Sequence, residues 1–121
     1  MQNAAQAYGN TAKVTENERE REAALLLKAA AQLQKVTDDQ IRDVTETRRA
    51  LGFNRKLWTI FVTSVTTAEN PLPEDIKNNI ASLGVFILGQ TVEAMMKPTA
   101  DALQPLISIN RNIAAGLRGR A

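Results

Sequence analysis

The 121-residue chain contains no cysteine and no histidine. Their joint absence excludes disulfides, zinc sites built on thiolate and imidazole, thiol nucleophiles and imidazole acid–base chemistry. Catalysis would have to run on carboxylates, lysines or hydroxyls alone. The two adjacent carboxylate pairs, Asp38/Asp39 and Glu74/Asp75, both fall where helices are expected to start, and capping accounts for them there. The stretch "GVFILG" at 84–89 lacks the Gly-Lys-Ser/Thr ending of a phosphate loop. The sequence therefore reads as non-enzymatic, with no cofactor and no metal. Long apolar runs are also missing. The longest, Ile80 to Leu88, is interrupted soon after by Gln90 and Glu93, short of the roughly twenty residues a bilayer requires. The opening "MQNAAQAYGN" has neither the basic nor the apolar region of a secretory signal. A cytoplasmic location without membrane insertion is expected, and the lack of cysteine fits a reducing compartment.

What is present points to one helical domain. The length suits a single unit spanning 1–121, with 1–14 and 118–121 as candidates for mobile ends. A hydrophobic content of 44% is ordinary for a globular chain. Strand-like alternation bounded by Asn-Gly or Asp-Gly turns does not occur. Net charge is only +2, but it is segregated. Glu16, Glu18, Glu20 and Glu22 cluster early, whereas 48–56 and 102–121 carry arginine or lysine and no acid. Such segregation serves either dipole matching or a local basic patch.

Capping patterns and periodicity predict an all-α bundle of four main helices, the second and third longest. A short turn at Ala4–Tyr8, closed by Gly9, is a possible fifth element. The first main helix is expected from Thr15, which with Glu18 has capping-box spacing, and Ala23, Leu26, Leu27, Ala30 and Leu33 share one face. Thr37 and Gln40 repeat the pattern and predict a second helix over 38–67, with Gly52 as a point of kinking. "ENPLPED" predicts a break, then a third helix over 74–96 ending before Pro98. Ile76, Ile80, Leu83 and Ile87 follow one stripe, but Val85, Phe86 and Leu88 fill other sides, which suggests the central helix. Gly84 and Gly89 within it read as points of close approach, a hinge being the alternative. The last helix follows Thr99 and Asp101, with Pro105 expected in or before its first turn. Gly116 and Gly119 suggest fraying beyond it.

The second helix carries two apolar stripes. At 100° per residue, Val44, Leu51, Val62 and Val65 gather around Trp58 as the core side, while Phe53, Leu57 and Ile60 lie nearly opposite and Phe61 between. Both stripes could be covered within the domain. Alternatively one is open and accepts an amphipathic helix, with Phe53, Leu57, Ile60, Phe61 and Phe86 as the partner-binding candidates. A nucleic-acid reading would use Arg48, Arg49, Arg55 and Arg111. Against it, the basic residues of the second helix diverge in direction, and no known RNA- or DNA-binding motif is present.

Six blocks add information that patterns cannot. They are "NAAQAYG" at 3–9, "LLLKAAAQLQ" at 25–34, "NRKLWTIFVTSV" at 54–65, "NPLP" at 70–73, "NIASLG" at 79–84 and "INRNIAAGLRGR" at 109–120. Together the sequence resembles the FlaF family, small flagellar biosynthesis proteins of alphaproteobacteria. The resemblance implies a non-enzymatic flagellin-binding secretion chaperone and positive post-transcriptional regulator of flagellin synthesis. It also implies flagellin as partner, through a terminal helical segment, and opposition to the repressor FlbT, which is associated with flagellin messenger RNA. A direct RNA-binding regulator is the alternative.

Overall fold

The computed structural model describes the backbone of residues 4–119 and the side chains of residues 17–119. Four helices, α1 (Ala4–Asp38), α2 (Val44–Val65), α3 (Glu74–Met96) and α4 (Ala100–Leu117), pack as a bundle, with no strand among the described residues. α1 packs on α2 and α4, and α3 on the same two, so α1 faces α3 and α2 faces α4 across the diagonals. Every helix is therefore a corner, and none is surrounded.

α1 is the longest element at 35 residues, which corrects the expectation for the second and third helices. It runs through Gly9 and Thr15, so the separate N-terminal turn and the Thr15 cap are not used. The segment contains no proline, and one interior glycine costs only about 1 kcal/mol. Ala23, Leu26, Ala30 and Leu33 form its buried stripe as expected. The helix closes at a Schellman-type turn: the Ile41 amide donates to Val36 O at 2.8 Å and that of Gln40 to Thr37 O at 2.9 Å. Gln40 (φ 61°) and Ile41 (φ 54°) both take left-handed backbone.

That turn displaces the start of α2. The Thr37 hydroxyl donates back to Leu33 O, so it caps nothing. Asp43 is the N-cap instead, its Oδ1 accepting from the Glu46 amide at 3.0 Å. The expected span 38–67 thus contracts to 44–65. Val44 sits exposed at the helix start, outside the core stripe to which the spacing assigned it. α2 continues through Gly52 without a break.

The α2–α3 connection is held by Asn70, whose Nδ2 donates to Ser64 Oγ and whose Oδ1 accepts from the Leu72 amide. Leu72 is thereby tucked into the core. α3 has the expected bounds, with Pro73 as its N-cap residue. α4 starts at Thr99, whose hydroxyl oxygen accepts from the Ala102 amide. Pro105 lies in its second turn, deeper than expected. It cannot donate to the Asp101 carbonyl, and nearby Gln90 of α3 donates its Nε2 to Ala102 O at 3.0 Å. Beyond α4, Arg118 is fastened to Glu20 of α1, its Nε donating to both carboxylate oxygens at 2.9 and 3.0 Å.

The core is aliphatic except at its centre. Trp58 is fully buried, with Phe61 tilted against it at 5.6 Å between ring centroids. Gly84 of α3 faces this pair: a Cβ there would collide with a Val62 methyl and lie 3.8 Å from the Trp58 ring. Close approach is the role of Gly84. Gly89 has open space around it.

α3 is not central, and this corrects the reading from its composition. Ile80, Gly84, Ile87, Thr91 and Ala94 form its buried stripe. The opposite side is exposed, although it is also apolar. For that reason α3 also meets the length and composition of a bilayer-crossing helix, with mean hydropathy 1.2.

Candidate partner-binding surfaces

Turning α3 by 100° per residue places Val85, Gly89, Val92 and Met96 within about 60° of each other, on the side away from Ile80 and Ile87. Val85 is 76% exposed and Met96 82%, with Phe86 and Val92 each about half exposed. Glu93 is the one charge on this face between Val85 and Met96. An exposed apolar strip of that kind is the usual mark of an interaction site. Its signal was present in the sequence as side-filling Val85 and Phe86, which periodicity alone assigns to burial.

The stripe expected on α2 is only partly realised. Ile60 is exposed at 58% and lines a shallow groove of about 130 Å³ with Leu57 of α2 and Glu22, Leu25 and Leu26 of α1. Phe61 forms the floor of that groove but is a core residue at 4% exposure, which corrects its assignment to the open stripe. The reason is angular: Phe61 sits three residues past Trp58, close enough in direction to turn inward with it. Leu57 is half-buried against the core. Phe53 is half-buried too, with Lys28 Nζ 5.5 Å from its ring centroid, a cation–π contact across α1 and α2. Phe86, on α3, belongs to the other face. At the groove rim, burial pushes the Glu22 carboxyl above its usual range; Glu18 adds to this and Arg19 opposes it.

A third apolar hollow, about 340 Å³, opens between α3 and α4. Ile76, Leu83, Ile109 and Ile113 line it, with Asn79 and Asn112 at its edges. Periodicity in the sequence carries no information on how tightly two helices pack, so this hollow had no signal there.

The four arginines do not converge. Arg48, Arg49 and Arg55 lie exposed on α2, and Arg111 lies on α4 across the diagonal. Arg49 pairs with Glu46 at 3.7 Å, and Arg111 Nη2 lies 3.5 Å from Gln34 Oε1 on α1. Among the described residues, no group of acidic side chains has the arrangement to hold a metal ion.

No curated protein and no solved structure matches the chain. A family model described as "Flagellar protein FlaF" matches residues 4–117, from the start of α1 to the last residue of α4. With all four helices inside that match, the chain belongs to the FlaF family of flagellar proteins.

Proposed function

We propose that this protein is a cytoplasmic, non-enzymatic flagellin-binding secretion chaperone and positive post-transcriptional regulator of flagellin synthesis, acting against FlbT. Membership of a flagellar family not known as enzymatic supports the class of role. The observation that carries the binding step is the open apolar strip of α3, Val85, Val92 and Met96, with exposed Phe86 to one side of it. An amphipathic terminal helix of flagellin has the chemistry to cover it, laying apolar side chains at i, i+4 and i+7 along the strip. Binding there would cover that helix's apolar face until export, and a chaperone of this kind needs no cofactor.

The test is co-purification of flagellin with a Val85→Asp/Val92→Asp variant. Both side chains are exposed, so thermal unfolding should match wild type while flagellin retention falls at least tenfold. Equal retention by the folded variant would move the client to another surface. The groove at Ile60 is then the next site to alter, with Ile60→Asp.

A further inference from the structure

α2 and α4 stand on a diagonal and their backbones do not meet, yet three fully buried side chains join them. The Trp58 indole Nε1 donates to Asn110 Oδ1 at 2.7 Å, and Asn110 Nδ2 donates to Asn54 Oδ1 at 2.7 Å. Asn54 and Trp58 are one turn apart on α2, so a single amide of α4 serves both. The arrangement is not saturated: Asn54 Nδ2 is buried with no partner. A layer selected for stability alone would not leave an amide unpaired in an apolar interior, where the cost is greatest.

The surroundings indicate what the layer does instead. Above and below it the core is filled by Leu51, Leu103, Leu106, Ile107 and Ile80, aliphatic groups that recur every turn. Sliding α4 by one turn, about 5.4 Å, would exchange aliphatic for aliphatic nearly everywhere. Within the buried core it is at this layer that the shift would matter most, bringing Leu106 or Ala114 opposite the indole and leaving three buried polar side chains unpaired.

We propose that Trp58, Asn54 and Asn110 form a registry lock, which selects one axial alignment of α4 against α2 at a cost in stability. Polar groups buried in helical cores can serve this purpose, discriminating between packings that apolar contacts leave nearly equal. The alignment has an external consequence. It decides which α4 side chains, Ile109 and Ile113 now, line the hollow against α3.

The chain has no cysteine, so a spin-label pair can be introduced at exposed Thr59→Cys on α2 and Gln104→Cys on α4 without background. The pulsed-EPR distance between them should be single and narrow in the parent. In Asn54→Leu/Asn110→Leu, and in the same variant with Trp58→Phe so that no donor remains, it should broaden or split by about one helical turn. Circular dichroism should show helix content retained in at least the triple variant. An unchanged narrow distance in the folded triple variant would overturn the proposal. So would loss of folding in both variants, because it would make the layer a source of stability rather than of selection.

Discussion

A hydrogen atom in place of a side chain at Gly84 is what lets α3 sit against Val62, beside the buried Trp58 ring. Adding a methyl there meets Val62, whose branched Cβ leaves it few alternative rotamers. The collision should cost about 1–3 kcal/mol, against a gain of about 1 kcal/mol in helix propensity. Gly84→Ala should therefore lower the denaturant midpoint, by a net of roughly 1 kcal/mol. Gly89→Ala, with open space around it, should raise the midpoint and so serves as the internal control. Glu22 offers a pH test of the same kind. Its folded carboxyl titrates above the ordinary 4.5, so the folded state holds the proton longer than the unfolded chain. Stability is then lost as pH rises from the unfolded value through the folded one. Glu22→Gln should stabilise the protein at neutral pH and have no stabilising effect below the unfolded value, a comparison that paired thermal melts at pH 7 and pH 4 would make. The charge on Glu22 is partly solvated, so the shift should be small.

Between elements, the α1–α2 junction is where left-handed backbone falls on residues that resist it. Gln40 and the β-branched Ile41 both have positive φ, and the left-handed region costs roughly 1–2 kcal/mol for an L-residue. Gln40→Gly should recover about 0.5–1 kcal/mol of this, the remainder being offset by the greater freedom of glycine in the unfolded chain. A higher melting temperature would show it. The same junction explains why α2 was misplaced by six residues in sequence reading while α3 was placed correctly. Pro73 and Pro98 punctuate α3 unambiguously. At the junction two capping patterns compete, Thr37 with Gln40 and Asp43 with Glu46, and no glycine marks the stop. The face assignments show a related limit. The spacing around Trp58 correctly put Leu51 and Val65 inside, because a stripe on a helix identifies a shared direction. It could not say that the other sides of α3 stay open, since that depends on how many neighbours the helix has. In a bundle of four corners, each helix has one buried side.

For the molecule as a whole, the Arg118–Glu20 clasp ties the end of α4 to α1, where composition alone suggested fraying. Glu20 is largely exposed, so the pair is a modest contributor. Glu20→Ala should lower the melting temperature slightly, and the difference should shrink in high salt. The overall architecture and the family were legible because capping signals and six sequence blocks are local. The open surfaces were not, because they are defined by what is absent beside them.

The pairing of α1 with α4 also sets an order on biosynthesis. A chain emerging from the ribosome makes α1, α2 and α3 before the helix that covers the larger part of α1 exists. Until α4 emerges, the side of α1 that packs on it and the Trp58 indole lack their counterpart, and the nascent chain displays part of its core. Closure is thus a test of completeness, passed only when the last helix arrives. A prematurely terminated chain would remain visibly unfinished to the proteases and chaperones of the cell.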